Sequence, residues 1–376
     1  MKKILSPSDL TDEIAVVVGT RPGIIKFSPV IQVLQKVGHR FFIIHTGQHY
    51  SYNMDRTFFE DLDLPAPRFY NEGVSKETYH GAQTALMITG VEEALLEAKP
   101  GIVIVGGDAN TNLAAAIATR KLGIKLAHME AGLRSHDWSM PEEHNRVMID
   151  HISELLFTPT AETRKNLEEE HVKGEIYVVG NSIVDAVIRN KEIAEAKSTI
   201  LSQLFLKSRG YALLTVHREE NLDNDETLEK IVGSIEAVSR HFGDLPLIFP
   251  IHPRTEKHLR HKRYYEKMAS IPNLQIIPPM GYIDFLKLLR HCEIVLTDSG
   301  GIQEEACELR VPCVTLRENT ERPETTAVGA NMVAGTTPEH VVRAVKEMLQ
   351  RPTTWENPIG DGKTSQRIVE KLIENL

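Results

Sequence analysis

Short apolar runs rich in Val, Ile and Leu alternate with longer helical patterns along the chain, and this alternation occurs twice. Nearly continuous apolar strands are typical of parallel sheets that are buried on both faces. Segments such as 24–38 and 80–99, with apolar residues three and four positions apart, predict the helices between them. The strand-like runs of the first half are EIAVVVGT (13–20), RFFIIHTG (40–47), GIVIVGGD (101–108), KLAHMEAG (125–132), ELLFTPT (154–160) and EIYVVGNS (175–182).

The pattern restarts after a charged stretch, 186–210, which has no strong strand signal and which we interpret as a helix plus the inter-domain connection. Six strands in each half predict an α/β protein with two Rossmann-like, doubly wound domains. We expect an N-terminal domain over 1–185 and a C-terminal domain over 186–362, with an amphipathic helix over 363–376 returning to the first. The strand-like runs of the second half are YALLTVH (211–217), LPLIFPIH (245–252), LQIIPPM (274–280), EIVLTDSG (293–300), PCVTLRE (312–318) and NMVAG (331–335).

Composition narrows the range of partners. The formal net charge of −9 argues against nucleic acid or an anionic membrane as the main partner. The N-terminus lacks the apolar core of a signal peptide, and no window approaches the roughly 18 apolar residues of a membrane span. The three cysteines are scattered, which argues against a disulfide framework. We therefore expect a cytoplasmic protein.

The 16 histidines raise the question of a metal site. The best helical pair, His258 and His261, is three residues apart and so lies on one helix face. Lysines and arginines surround this pair in the segment 257–267, and their charge would repel a metal cation. We predict a solvated basic helix face, no metal site and no cofactor.

The ends of the predicted strands carry the informative residues, because open parallel sheets bind ligands there and at the following helix N-termini. The first strand leads into the turn GTRPG (19–23), and Lys26 follows in the next helix. This turn is not the GxGxxG of a nicotinamide-dinucleotide site. Arg21 and Lys26 suit a phosphate or a charged leaving group, although an ordinary turn with two solvated cations is the alternative.

Three acids follow strands of the first half. Asp108 alone would be explained as a helix N-cap, and Glu142 alone as an acid in a first helical turn. Neither explanation accounts for Asp108, Glu130 and Glu142 together at one edge of one sheet. We interpret the three as a catalytic cluster.

The second half has a different kind of strand end. The turn DSGG (298–301) opens a helix with small residues, so that backbone N–H groups can approach a diphosphate closely. Glu305, one turn into that helix, could bind ribose hydroxyls. Paired with the cationic turn of the first half, this pattern predicts a nucleoside diphosphate held in an inter-domain cleft.

These motifs together resemble the non-hydrolysing UDP-N-acetylglucosamine 2-epimerases, in the order of that family and over nearly the whole chain. The joint occurrence is highly specific, whereas DSGG or HR alone would not be. The motifs that carry the resemblance are GTRPxxxK (19–26), TGQH (46–49), GDxxT (107–111), MEAGLRS (129–135), MPEEHNR (140–146), TPT (158–160), VGNSIVDA (179–186), HREEN (217–221), TDSGGIQEEA (297–306), TERPE (320–324) and NPxGDGxxxQRI (357–368).

The resemblance implies a GT-B-like fold, a homodimer, and an isomerase that interconverts UDP-GlcNAc and UDP-ManNAc for cell-surface polysaccharide. The implied route is elimination and re-addition of UDP through a 2-acetamidoglucal intermediate. The implied catalytic residues are Asp108, Glu130, Glu142, His217 and Lys26. The implied UDP-binding residues are Arg21, Ser299, Gly300, Gly301, Glu305 and Arg322.

The sequence departs from the family pattern at three places. Gly23 stands where the family usually has Glu after GTRP, and Ala109 removes a hydroxyl from the GD turn. Many bacterial members bind a second, activating UDP-GlcNAc with the region after TGQH, which makes Gln48 and His49 the candidate allosteric residues. Here that region reads YSYNMD, which differs from the basic and polar pattern of those members.

Several alternatives share parts of this pattern. A hydrolysing 2-epimerase would release ManNAc and UDP, and an epimerase of a UDP-diacetamido sugar would tend to begin GARPQ where this chain has GTRPG. A GT-B glycosyltransferase would need an acceptor. A non-catalytic UDP-sugar sensor would need Arg21 and DSGG but not the three acids.

Overall fold

The computed structural model describes residues 4–48 and 52–376. The chain forms two compact units, the first made of Met1–Ala186 with Ile359–Leu376, the second of Val187–Pro358. Each unit has one parallel sheet with helices between successive strands. The prediction of two Rossmann-like, doubly wound α/β domains is confirmed.

The sheet of the first unit has seven parallel strands among the described residues, in the order β3-β2-β1-β4-β5-β6-β7. Six of them match the predicted runs, so the expectation of six strands was wrong by one. The additional strand, β3, has two residues and pairs with Ile44 and His45 at the sheet edge, which is too short to give an apolar run. The strands are β1 (Ile14–Val18), β2 (Phe41–His45), β3 (Phe69–Tyr70), β4 (Ile102–Gly106), β5 (Lys125–Met129), β6 (Leu155–Thr158) and β7 (Glu175–Val178).

The helices of this unit follow the strands directly. The first begins after Thr20, whose side chain accepts a hydrogen bond from the Gly23 N–H at 3.2 Å, and stops at Gly38, which has a φ of +68°. Short 3₁₀ helices occupy Pro7–Asp9 and Val74–Lys76. The α-helices are α1 (Arg21–Val37), α2 (Tyr52–Asp61), α3 (His80–Ala98), α4 (Asn110–Leu122), α5 (Pro141–Ile152), α6 (Ala161–Glu169) and α7 (Ser182–Lys197).

The sheet of the second unit has six parallel strands in the order β10-β9-β8-β11-β12-β13, and these match the six predicted runs. They are β8 (Ala212–Thr215), β9 (Leu247–Pro250), β10 (Leu274–Ile277), β11 (Ile294–Thr297), β12 (Cys313–Thr315) and β13 (Asn331–Val333).

Apolar residues from both faces of this second sheet are fully buried, as a doubly wound sheet requires. Helices of very different length cover it. They are α8 (Ile200–Gln203), α9 (Glu219–Asp223), α10 (Asp225–His241), α11 (Pro253–His261), α12 (Tyr265–Ala269), α13 (Tyr282–His291), α14 (Gly300–Leu309), α15 (Pro323–Ala327) and α16 (Pro338–Gln350).

The chain leaves the first unit within α7 and re-enters it at Ile359. The last helix, α17 (Thr364–Glu374), packs against α1, so the C-terminal segment is part of the first unit. Among the described residues, no helix is long and apolar enough to cross a membrane.

Candidate functional site

Two strand ends of the first unit meet at the predicted catalytic cluster. Gly106, the last residue of β4, pairs with Met129, the last residue of β5, and the Gly107 N–H donates to the Met129 carbonyl at 3.0 Å. Asp108 and Glu130 therefore follow paired positions. A Cβ on Gly107 would lie 3.1 Å from Oε2 of Glu130, so this carboxylate sits directly against the turn that carries Asp108.

Glu130 is buried, with 3% of its surface exposed, and has a left-handed φ of +67°. Lys26 Nζ lies 2.7 Å from its Oε2, and Asn181 Nδ2 donates to its Oε1 at 2.9 Å. A non-glycine residue in this backbone region is strained, and such strain is concentrated at functional sites. The surrounding contacts thus hold a carboxylate in a fixed and costly conformation.

Asp108 is held by the start of α5. Its carboxylate pairs with the Arg146 guanidinium, and its carbonyl accepts from Asn145 Nδ2 at 2.8 Å. The Asp108 side chain keeps 40% of its surface exposed, whereas Arg146 is buried. The buried Arg146 therefore fixes the position of Asp108, while the Asp108 carboxylate stays accessible to solvent.

The consecutive acids Glu142 and Glu143 have different environments. Glu143 is buried and accepts from the N–H groups of Ser135 and His136 at 3.0 Å and from Arg146. Burial pushes the pKa of Glu143 upward, but these donors outweigh it and the pKa is lowered. Glu142 is half-buried and makes no hydrogen bond or ion pair with any residue in the described ranges. Glu143 thus anchors the 135–143 loop, whereas the side chain of Glu142, in the first turn of α5, has no partner among the described residues.

A buried network fixes the turn after β5. Asp150 lies 2.7 Å from His128 Nδ1 and 2.8 Å from Arg134, and it accepts from the Gly132 N–H at 3.1 Å. Burial acts to raise the pKa of Asp150, but His128 and Arg134 keep it below its ordinary value. The same His128 ring contacts the Gly107 carbonyl at 3.1 Å through Nε2, which joins the turns after β4 and β5.

Arg21 contacts two residues of α2. Its Nε donates to the fully buried Asp55 of α2 at 3.1 Å, and its guanidinium carbon is 4.7 Å from the centroid of the Phe58 ring. Gln48 is buried, and its Oε1 accepts from the N–H and hydroxyl of Thr111. Its side chain thus anchors the first turn of α4. His49, the other predicted allosteric residue, lies outside the described residues.

In the second unit, the DSGG turn becomes the N-terminus of α14. Ser299 is the N-cap but makes no capping hydrogen bond with its side chain, and the first turn contains no acid. A Cβ on Gly300 would come no closer than 3.7 Å to another residue, and one on Gly301 no closer than 3.9 Å. The packing of the protein itself therefore does not require glycine at either position. Such a helix end is suited to an anion.

Among the described residues, Arg218 and Arg322 lie beside this helix end, together with Glu321, whose Oε2 would be 3.7 Å from a Cβ on Gly300. Arg322 Nε pairs with the buried Glu304, so this predicted UDP-binding residue is fixed by the protein. The ideal Cβ on Gly300 would be 3.9 Å from both Arg322 Cζ and Arg218 NH2. Arg317 makes bidentate bonds to Glu321 of 2.8 and 3.0 Å. Burial acts to raise the pKa of Glu321, but the arginines hold it far below its ordinary value.

His217 is positioned by Asp298, the first residue of the DSGG turn. Asp298 is fully buried and accepts from the N–H groups of His217 and Arg218 and from Asn221 Nδ2, all at 3.0 to 3.1 Å. Its Oδ1 also lies 3.3 Å from His217 Nδ1. Burial raises the pKa of Asp298, but the contacts with His217, Arg218 and Asn221 reverse the effect and lower it.

Glu305 is buried in α14 and interacts with the phenol of Tyr282. Burial, together with the negative charge of Glu305, raises the pKa of Tyr282 well above its ordinary value. Glu305 therefore lies near a buried phenol of the same unit.

The structure brings the predicted residues into two groups, one in each unit. Lys26, Asp108 and Glu130 meet at the edge of the first sheet, and α5 attaches Glu142 to them. Sequence reasoning missed Asn181, Arg146, Arg218 and Asp298. For Asn181, Arg218 and Asp298 a signal existed, since each follows a strand. The contact of Arg146 with Asp108 is a tertiary one that no local pattern indicates.

Two parallel doubly wound units define the class of GT-B-like proteins, and comparison with known proteins places the chain within that class. A family model described as UDP-N-acetylglucosamine 2-epimerase matches residues 33–373. A UDP-N-acetylglucosamine 2-epimerase of Methanocaldococcus jannaschii is 49% identical over 365 residues, covering 96% of this chain and 98% of the relative. The crystal structure of the M. jannaschii enzyme in complex with UDP-GlcNAc and UDP superposes with a TM-score of 0.91 at 48% identity, covering 96% of this chain and 99% of that one.

A more distant relative, the UDP-2,3-diacetamido-2,3-dideoxy-D-glucuronate 2-epimerase of Pseudomonas aeruginosa, is 35% identical over 96% of this chain and 99% of its own length. The chain belongs to the UDP-N-acetylglucosamine 2-epimerase family. The assignment made from its motifs is confirmed.

Among residues 4–48 and 52–376, no group of three or more His, Cys, Asp or Glu side chains could hold a metal ion. His258, one of the pair weighed above, instead faces the Asp223 carboxylate at 3.0 Å.

Proposed function

We propose that this protein interconverts UDP-N-acetylglucosamine and UDP-N-acetylmannosamine without net hydrolysis. The observation that carries the proposal is the environment of Glu130. This buried residue has a strained backbone conformation, and its carboxylate is paired with Lys26 and lies against the turn that carries Asp108. Membership of the family supports UDP-N-acetylglucosamine as the substrate.

The reaction requires inversion at a carbon with no adjacent carbonyl. In the proposed route, a base takes the C2 proton and the C1–O bond to UDP breaks, which leaves 2-acetamidoglucal and UDP. An acid then returns a proton to C2 from the other face, and the UDP oxygen adds again to C1. Acid–base groups are needed on both faces, and positioned carboxylates supply them.

Asp108, Glu130 and Glu142 share these proton transfers in our proposal. The three carboxylates have different environments. Glu130 lies beside the Lys26 cation, and Asp108 is fixed by Arg146 yet exposed. The side chain of Glu142 has no partner among the described residues. The Lys26 cation lies 2.7 Å from Oε2 of the buried Glu130 and opposes its negative charge.

The second unit holds UDP. Ser299, Gly300 and Gly301 present backbone N–H groups of α14 to the diphosphate, and Glu305 binds the ribose. Arg322 and His217 stabilise the charge that develops on the departing diphosphate. For Arg21, the proposal is that Asp55 and Phe58 orient its guanidinium toward the same diphosphate.

The physiological setting that we propose is a cytoplasmic homodimer that supplies UDP-ManNAc to polysaccharide synthesis. Activation by a second UDP-GlcNAc at Gln48 and His49 is a separate proposal. Substituting Gln48 would disturb α4, because Gln48 Oε1 accepts from Thr111.

The test is incubation of the purified protein with UDP-GlcNAc in D₂O, followed by proton NMR. We expect UDP-ManNAc with deuterium at C2. Released ManNAc would instead support the hydrolysing alternative, and an unchanged spectrum would overturn the proposal.

The carboxylate assignment is tested separately with Asp108→Asn, Glu130→Gln and Glu142→Gln. Each is expected to lower kcat by roughly 10²- to 10⁴-fold, the usual contribution of acid–base groups. A variant that stays within about threefold of wild type, far below that contribution, would remove its residue from the mechanism.

A further inference from the structure

Two segments, 179–186 and 357–368, resemble family motifs but contain none of the residues placed in the chemistry above. The second of them returns the chain to the first unit at Ile359. We propose that Asn181 is a positioning residue that fixes the Glu130 carboxylate, and that the returning segment 359–365 holds Asn181 in place. This inference rests on the proposed function, because it gives Asn181 its role through Glu130.

The orientation of the Asn181 amide is determined by its own contacts. Asn181 is 1% exposed, and its Oδ1 accepts from the Ile183 N–H at 3.0 Å. Its Nδ2 therefore points the other way and donates to Glu130 Oε1 at 2.9 Å. Because an amide has distinct donor and acceptor ends, the turn at 181–183 decides that a donor faces the carboxylate.

The backbone of Asn181 is fixed by the returning segment. Its N–H donates to the Ile359 carbonyl at 2.7 Å, and an ideal Cβ on Gly360 would lie 3.3 Å from its carbonyl oxygen. Gly180, with a φ of +97°, has room for only a hydrogen, since a Cβ would be 2.5 Å from the Thr364 hydroxyl. The close packing explains why both positions are glycine.

A second bond pair joins the same two segments. The buried Asp185 carboxylate accepts from the N–H groups of Thr364, at 3.3 Å, and Ser365, at 2.8 Å, which are the first residues of α17. Residues 180, 181 and 185 therefore all contact residues 359–365. The last segment of the chain thus determines the position of an amide that bonds the central carboxylate of the site.

Asn181 differs from Lys26 in what it supplies to Glu130. Lys26 brings a positive charge to Oε2, whereas Asn181 brings a neutral donor to Oε1. A neutral donor adds direction without changing the net charge of the site. Since Glu130 has a strained backbone, a second donor is needed to select one side-chain orientation.

The test variant is Asn181→Ser. A serine hydroxyl accepts from the N–H two residues later, so the Ile183 bond can persist, but it is too short to reach Glu130. We expect kcat to fall by roughly 10- to 100-fold, the range for one hydrogen bond to a charged group. We expect the affinity for UDP to be unchanged. The acidic limb of the kcat–pH profile should move to higher pH, because a carboxylate that loses a donor is protonated more readily.

Asn181→Asp gives a second, stronger test. It keeps the shape of the side chain and the acceptor for Ile183 but places a carboxylate against Glu130. The loss of kcat should exceed that of Asn181→Ser. A wild-type kcat in Asn181→Asp would contradict a role for the Nδ2 donor.

The matched control is Asn273→Ser. Asn273 Nδ2 also donates a hydrogen bond, to the Leu245 carbonyl at 2.9 Å, but in the second unit and in a residue to which no part of the proposed site is assigned. Its kcat and pH profile should equal those of wild type.

The outcomes separate this inference from the proposed function. A wild-type protein that does not epimerise UDP-GlcNAc contradicts the function itself. A wild type that epimerises, with Asn181→Ser showing the same kcat and pH profile, contradicts the positioning role alone. Variants of Asn181 that fail to fold, or that lose UDP binding, would assign this residue to the fold and overturn the inference as well.

Discussion

The carboxyl ends of β5 in the first unit and of β11 in the second present different kinds of group. Glu130, after β5, is a buried carboxylate whose partners are the side chains of Lys26 and Asn181. Asp298, after β11, is also buried, but its partners include the backbone N–H groups of His217 and Arg218. The same topology thus produces a carboxylate held by side chains in one unit and a carboxylate that fixes a turn in the other.

In our proposal, this difference lets one fold serve two tasks, proton transfer in the first unit and anion binding in the second. Proton transfer needs a carboxylate whose position is adjusted by exchangeable side chains. Anion binding needs backbone donors that are already oriented, so the carboxylate there lies behind the turn and holds it rigid. The glycines of α14, which the protein's own packing does not require, fit the second task.

The largest effect is expected for Lys26→Met, which removes the cation from Glu130 but keeps the length of the side chain. We expect kcat to fall by roughly 10²-fold or more, because the carboxylate loses its counter-charge in a buried site. The affinity for UDP, measured by calorimetry, should stay within about twofold, far below that effect. Comparable losses of kcat and of UDP affinity would contradict the proposal that the first unit performs catalysis and the second binds UDP.

Asp298→Asn should reduce stability and change its dependence on pH. The pKa of Asp298 in the folded protein is below its ordinary value of 3.8. Its stabilisation is therefore fully present above about pH 4 and is lost as the pH falls through the folded value. At neutral pH the variant should lose on the order of 1–3 kcal/mol of unfolding free energy, since two backbone donors face an amide instead of a carboxylate.

Denaturant unfolding at several pH values checks this prediction. Below pH 4 the difference between the variant and wild type should shrink. A constant difference down to pH 2 would contradict the role of Asp298 as an ionised anchor.

The strands were predictable because buried parallel strands have long apolar runs, and only β3, two residues at a sheet edge, lacked one. Strand ends also located Asp108, Glu130 and the DSGG turn. The partners of these residues were not predictable, because they come from distant parts of the chain. Asn181 is 51 residues from Glu130 along the sequence, and Lys26 is 104 residues from it.

Arg21 shows a different limit of prediction from the sequence, because its partner is not indicated by the local motif. The GTRP turn predicted a cation for the diphosphate, and nothing local indicated that Asp55, 34 residues later, would pair with it. The neighbouring acids at 142 and 143 illustrate the same point, since only the tertiary contacts separate the loop anchor Glu143 from Glu142.

Gly300→Ala tests whether ligand approach, and not packing, requires this glycine. The nearest atom to the new Cβ would be 3.7 Å away, so stability should be equal or slightly higher. The affinity for UDP should fall by about tenfold, because the methyl group would occupy space beside the N–H groups that we propose bind the diphosphate.

The control is Gly233→Ala in α10, where a Cβ would lie 3.5 Å from Pro338. It should preserve stability and leave UDP affinity unchanged. Equal affinity in Gly300→Ala and wild type would show that diphosphate does not approach α14 at Gly300.

The smallest effect is expected for Tyr282→Phe. This variant probes Glu305, the carboxylate that we propose binds the ribose. The phenol of Tyr282 is neutral at working pH and lies near enough to Glu305 for the charge of this carboxylate to raise its pKa. Removing the hydroxyl should therefore loosen Glu305 and lower the preference for UDP over 2′-deoxy-UDP by about threefold, near the weak end for one hydrogen bond.

Tyr211→Phe is a matched control for this change, because Tyr211 is equally buried in the same unit and donates to the Leu288 carbonyl at 2.6 Å. Both variants should lose similar stability, and Tyr211→Phe should keep the wild-type ribose preference. If both variants altered that preference equally, the general packing of the unit, and not Tyr282, would orient Glu305. A specific contact would then orient Glu130, through Lys26 and Asn181, but not Glu305.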